Sequence, residues 1–157
     1  MFNVLLVPLD GSKRAERILP YVEYLAFARE SKIVLLQVIE PDPNLVSAFG
    51  VAAYYSTDLA QVTVNEVKSY LDTLACELRE KGFAAEPCVK YGPVVPTILE
   101  VAEEKKADLI AMASHGRTGL ERAFYGSVAA GVLHQADRPL LLIRADDARQ
   151  ARRKILM

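Results

Sequence analysis

The sequence predicts an α/β domain with an open parallel sheet and helices on both faces. Three observations carry that prediction. Five short β-prone apolar runs alternate with segments whose apolar residues recur at helical spacing. The clearest runs are apolar almost throughout, as strands covered on both faces are. A glycine-rich link then joins the fourth run to the last helical segment, the kind of connection that lies at a ligand site in such sheets.

Each element has its own signal. Phe2, Val4, Leu5, Leu6 and Val7 make the first strand, which stops at Pro8-Leu-Asp-Gly-Ser12. Ala15, Ile18, Leu19, Val22, Leu25 and Ala26 recur as a helix stripe, with Ser12 or Asp10 as its cap. Pro20 falls inside that stripe and predicts a kink or a late helix start. Lys32–Ile39 is a second buried strand, ended by Pro41-Asp-Pro-Asn44. Residues 41–58 hold two prolines, Gly50 and Tyr54-Tyr55 without clear periodicity, and read as a long connection, floppy or lid-like. Leu59–Lys81 carries Val67, Leu71, Leu74, Ala75 and Leu78 at helical spacing and stops at Gly82. Ala84–Lys90, interrupted by Pro87, suits an edge strand. Pro93 opens a helix with Val95, Ile98, Leu99 and Ala102 inward and Thr97, Glu100, Glu103 and Glu104 outward. Asp108–Ala113 and Pro139–Arg144 complete the strands.

The totals bound the class. The chain has 157 residues, 52% apolar and 25% charged, which suits one globular domain with a sizeable core. A net charge of −1 supplies no field to draw it onto nucleic acid or a membrane. No apolar stretch approaches the roughly 20 residues of a membrane span, and no basic segment precedes the first strand, so no signal peptide is expected. Cys76 and Cys88 are too few for a disulfide framework and lack metal-ligand spacing. A cytoplasmic location is the resulting expectation.

Three strand ends converge where ligands bind in open α/β sheets: Pro8 to Ser12, Val38-Ile39, and Met112 to Gly116. Asp10 either accepts hydrogen bonds from sugar hydroxyls, helps hold a metal bound to phosphates, or caps a helix. Gly116 and Gly126 either permit tight turns or bring backbone N–H groups to an anion. Ser127 either only caps the helix beginning near Val128 or caps it while giving its N–H and hydroxyl to a phosphate. Several chemistries are excluded. The chain has no P-loop run, no Gly-x-Gly-x-x-Gly after the first strand and no Gly-x-Ser-x-Gly elbow. His115 and His134 are the only histidines, too few for a histidine metal site. His115 borders the glycine-rich link, whereas His134 falls in the last helix.

These blocks are similar, over residues 2–144, to the universal stress protein family. Val4-Leu-Leu-Val-Pro-Leu-Asp-Gly-Ser12 resembles its first strand and turn. Ser114-His-Gly116, nine residues, then Gly126-Ser127 resembles the signature Gly-x2-Gly-x9-Gly-Ser/Thr of its nucleotide-binding branch. Ala136-Asp-Arg-Pro-Leu-Leu-Leu-Ile-Arg144 resembles its closing helix end and strand. The resemblance implies a single-domain, five-stranded parallel sheet in the order 3-2-1-4-5, adenine nucleotide alpha hydrolase-like. The domain would span 1–145 and a basic tail 146–157. The resemblance also implies an ATP or other adenine nucleotide site. Pro8 and Asp10 would line the ribose, Val38 and Met112 the adenine. Gly116, Gly126, Ser127 and Val128 would hold the phosphates, with Mg2+ or Mn2+ reaching Asp10 through them. The signature's first glycine is Ala113 here. The added methyl is tolerated where φ is negative and strained where it is positive. The family commonly dimerises through its last strand, here Leu140–Ile143.

Three functions compete. One is an ATP-binding module for stress response or signalling. A second is a slow ATPase or phosphoryl-transfer protein, for which Asp10, His115, Arg117 and Arg122 are the only suppliers of catalytic groups. A third is a dimeric stress protein without nucleotide, which Ala113 would favour. Binding without meaningful turnover is the expected outcome.

Overall fold

The computed structural model describes residues 2–28, 30–114 and 126–145. The elements run β1 (Val4–Leu9), a 3-10 turn (Ala15–Ile18), α1 (Leu19–Phe27), β2 (Lys32–Ile39), α2 (Pro43–Phe49) and α3 (Val51–Tyr55). They continue as α4 (Asp58–Glu80), β3 (Ala84–Tyr91), α5 (Val94–Glu104), β4 (Leu109–Ser114), α6 (Ser127–Gln135) and β5 (Leu140–Arg144). The five strands form one parallel sheet in the order β3-β2-β1-β4-β5. Pro87 sits in edge strand β3, where proline disrupts least.

Alternate residues of the strands feed two cores. Leu5, Val7, Ile33, Leu35 and Ala111 pack with Ile18 and Val22 and with Leu71 and Leu78 of α4. Leu6, Val34, Leu36, Ile110 and Met112 pack against Ile98 and Val101 of α5 and Ala129 and Val132 of α6. Burial on both faces explains why β1 and β2 are apolar runs.

Three local expectations are corrected. Residues 41–58 are not a structureless connection. Asp42 Oδ1 accepts from Asn44 N–H at 2.8 Å to start α2, with Pro43 in its first turn. Gly50, at φ +79°, separates α2 from α3, and Tyr55 stacks edge-on against Tyr91 with ring centroids 4.8 Å apart. Thr97 does not face outward: it is buried, and a Cβ at Gly92 would lie 2.8 Å from its Oγ1. Gly92, at φ +139°, thus lets the β3–α5 turn close on that hydroxyl. Ser127 is the first residue of α6 and not its cap, which is Gly126. Pro20 behaves as one of its two predicted alternatives, a late start. It lies in the first turn of α1, where its missing N–H costs no intrahelical bond.

Ion pairs stitch the edges. Glu86 of β3 pairs with Lys32 and with Lys105. Arg138 donates to Ala102 O at 2.8 Å and Ala107 O at 3.0 Å, serving carbonyls at the end of α5. Residues 146–157, the predicted tail, lie outside the described residues.

Candidate functional site

The crevice arises from topology. The chain builds β1, β2 and β3 outward in one direction and then crosses to β4 and β5 on the other side. Strands β1 and β4 are therefore the switch point. They pair only at Leu5↔Leu109 and Leu6↔Ile110, so their carboxyl ends diverge. A cavity of about 290 Å³ opens there.

Pro8, Leu9 and Asp10 line it from β1, Leu36, Gln37 and Val38 from β2, and Met112 and Ala113 from β4. Val94 and Ile98 of α5 close one side. Gly126, Ser127, Val128 and Ala129 bring in the start of α6. The structure thus gathers Pro8, Asp10, Val38, Met112, Ala113, Gly126, Ser127 and Val128 around one space. Gly116, His115, Arg117 and Arg122 lie outside the described residues. His134 is exposed on α6, away from those lining residues.

Asp10 settles part of its ambiguity. Its Oδ1 accepts from Ser12 N–H at 2.9 Å and Ser12 Oγ–H at 2.6 Å. Ser12 Oγ in turn accepts from Ala15 N–H at 3.1 Å, so Ser12 leads into the 3-10 turn while Asp10 fixes Ser12. Gly11, at φ +82°, permits this tight turn. The carboxylate is exposed and held in orientation at the cavity. Further along the turn, Glu16 receives Tyr70 O–H at 3.1 Å and Lys13 Nζ at 2.9 Å. Burial and the neighbouring Glu16 carboxylate push the Tyr70 phenol upward, so it stays a neutral donor tying α4 to the turn.

The opposite wall is different. The first intrahelical bond of α6 is Ala130 N–H to Gly126 O, at 2.9 Å. Helix geometry leaves the N–H groups of Ser127, Val128 and Ala129 without intrahelical acceptors, at the positive end of the dipole. Gly131 brings α6 close to α5, since a Cβ there would meet Val95 Cγ2 at 2.8 Å. Ala113 is extended within β4 and is not among the positive-φ residues. The site therefore has an apolar wall (Val38, Val94, Ile98, Met112), a polar end (Asp10, Gln37) and an anion-favouring helix start. No group of three or more His, Cys, Asp or Glu suited to a metal occurs among the described residues. A metal here would take Asp10 as its protein carboxylate and fill its remaining positions from phosphate and water, as Mg2+ commonly does.

Sequence reasoning passed over Gln37, Val94 and Ile98 at this cavity. Gln37 carried a legible signal, being the one polar residue between Ile33 and Ile39 and close to a strand's carboxyl end. Val94 and Ile98 carried none, because a cavity wall and a core stripe share the same residue types.

An open parallel sheet in the order β3-β2-β1-β4-β5, with helices on both faces and a cavity at its switch point, defines a doubly wound α/β domain. The chain belongs to the universal stress protein family, whose model matches residues 1–144. It is similar to universal stress protein MJ0577 of Methanocaldococcus jannaschii, 27% identical over 155 residues, covering 92% of this chain and 96% of the relative. Universal stress protein A homolog 2 of Coxiella burnetii is 31% identical over 146 residues, covering 91% and 95%. A solved structure of MJ0577 superposes with a TM-score of 0.78 at 27% identity, covering 94% of this chain and 99% of that one. A universal stress protein solved with cAMP shares the fold at 20% identity and a TM-score of 0.64, covering 92% and 98%. One from Archaeoglobus fulgidus, solved with dAMP, shares it at 20% identity and 0.65, covering 91% and 98%.

Proposed function

We propose that this chain binds an adenine nucleotide, ATP foremost, in the β1–β4 cavity and uses its occupancy to signal in a stress response. The observation that carries the reading is the division of the cavity. A flat base suits the apolar wall of Val38, Val94, Ile98 and Met112. The sugar hydroxyls suit the end holding Asp10, and the phosphates suit the N–H groups of Ser127 and Val128. About 290 Å³ matches the lower end of ligand sites, enough for the nucleoside with phosphates at the α6 rim. Family membership and the fold shared with proteins solved with cAMP and dAMP support the same ligand class. Mg2+ or Mn2+ accompanies the phosphates and reaches Asp10.

Binding without turnover is the preferred form. Asp10 Oδ1 already takes two bonds from Ser12, which makes Asp10 a positioned acceptor better than a general base. The working unit is a homodimer through β5, formed by the domain of residues 1–145, in the cytoplasm. No helix among the described residues is long and apolar enough to cross a membrane.

The test is direct. Purified protein is denatured and any released nucleotide is identified by chromatography, alongside melting with and without added ATP and Mg2+. Released adenine nucleotide, or a melting temperature raised by ATP, is expected. Neither effect would leave the dimeric protein without nucleotide as the standing reading. ADP accumulating in proportion to protein and time would replace the binding module with a slow ATPase.

A further inference from the structure

The polar end of the cavity holds a group with no structural duty. Gln37 Oε1 is buried and has no hydrogen-bond partner, the only such side-chain atom among the described residues. An unpaired buried acceptor is costly, so it calls for an explanation. The rest of β2 offers none: Ile33, Leu35 and Ile39 lie in the apolar core, and leucine at 37 would continue the run. Gln37 instead borders the cavity beside Asp10, paired in register with Leu9. Gly11 folds over it, and a Cβ there would lie 3.7 Å from Nε2 and 3.9 Å from Oε1.

We infer that the Gln37 carboxamide hydrogen-bonds one hydroxyl of the ligand's ribose, Asp10 taking the other, so that the site selects ribonucleotides over deoxynucleotides. The inference rests on the nucleotide reading above and sharpens it. A ribose offers two vicinal hydroxyls, and this end of the cavity offers two polar side chains. Each hydroxyl both donates and accepts, so it satisfies the amide in either orientation. A half-turn about the terminal amide torsion exchanges Oε1 with Nε2 at low cost, because sp³–sp² torsions are broad. A deoxy ligand excludes water from the cavity yet either leaves the Gln37 amide unpaired or withdraws one of the bonds Asp10 accepts, the situation in which hydrogen-bonding sites discriminate best.

Calorimetric titration of the full chain with ATP, 2′-deoxy-ATP and 3′-deoxy-ATP tests this, in the native protein and in Gln37→Leu. Gln37→Met, which keeps side-chain length and drops the amide, replaces the leucine variant if that one melts early. In the native protein both deoxy analogues are expected to bind about tenfold or more weakly than ATP. In the variant ATP itself weakens, and the penalty for one analogue falls below about twofold while the other persists through Asp10. Deoxy analogues binding the native protein as well as ATP would overturn the inference and leave nucleotide binding standing. So would penalties that survive unchanged in both variants. Failure of ATP itself to bind the native protein would remove the nucleotide reading, and this inference with it.

Discussion

Ala113 stands where the nucleotide-binding signature that this segment resembles has glycine, and the structure shows what that exchange does to the backbone. Ala113 is extended, opposite Ile143 of β5, and positive φ among the described non-glycine residues is confined to Glu30 and Lys106. The methyl is therefore free of backbone strain, and its cost is limited to the space it takes at the cavity. Gly126 allows a sharper test. Its φ of −52° and ψ of 156° are open to any residue, so a side chain there changes the rim without straining the chain. Gly126→Val is expected to cost about 1 kcal/mol of stability, because Gly126 is the N-cap of α6 and valine caps poorly, and to leave the fold intact. Crowding of the phosphate position should lower ATP affinity about tenfold or more, read by titration. Unchanged affinity would move the phosphate grip away from the start of α6. Gln37 makes the complementary point. Its position near a strand end was visible in the sequence, but its missing partner exists only in three dimensions.

Among the elements, legibility followed periodicity. Helices α4 and α5 were readable because one repeating face of each meets a core, and strands β1 and β2 because both faces do, which makes each a continuous apolar run. The pair α2 and α3 was not, because each is under two turns or little more and owes its form to local devices. These are the Asp42 cap, the Gly50 break and the Tyr55–Tyr91 contact, the last between residues far apart in sequence. Thr97 was misplaced for a similar reason: its inward position answers Gly92, a partner outside its own helix. The start of β4 is held to β1 by a device that can be measured. Asp108 Oδ2 accepts from Asn3 N–H at 2.7 Å and Val4 N–H at 2.9 Å, and these bonds to Val4 and Asn3 hold its carboxyl below the usual range. A depressed folded pKa means stability present above the unfolded value, about 3.9, and lost as pH falls through the folded one. Asp108→Ala should cost about 1–2 kcal/mol at neutral pH. That is a fall of roughly 2–8 °C in melting temperature for a chain of this size. The gap between native and variant should close as pH drops below about 4, and a gap constant down to pH 2 would show that the carboxylate charge plays no part.

At the scale of the molecule, the sheet ends in two unlike edges. Edge strand β3 carries Pro87 and the charged Glu86 and Lys90, all features that discourage pairing with another strand. Edge strand β5 reads Leu-Leu-Leu-Ile-Arg and its apolar residues are only half-buried. Its hydrogen bonds fix which groups point outward. Ile110 N–H donates to Pro139 O and Ala145 N–H donates to Ser114 O, so the odd-numbered residues of β5 face β4. The backbone groups of Leu140, Leu142 and Arg144 are then turned to the outer side. A second copy related by a two-fold axis would present the same strand in antiparallel sense and take up those groups. Sedimentation equilibrium should accordingly give twice the 17.3 kDa of one chain. Leu142→Pro removes an outward N–H while leaving the β4 ladder, which runs through the odd residues, intact. The variant should sediment as a monomer, melt cooperatively and keep its ATP affinity, because the cavity lies between β1 and β4 and not at β5. A variant that remains dimeric would place the interface elsewhere. A monomer that loses ATP affinity as well would mean that the nucleotide site depends on the partner subunit, and occupancy and assembly would then be one equilibrium.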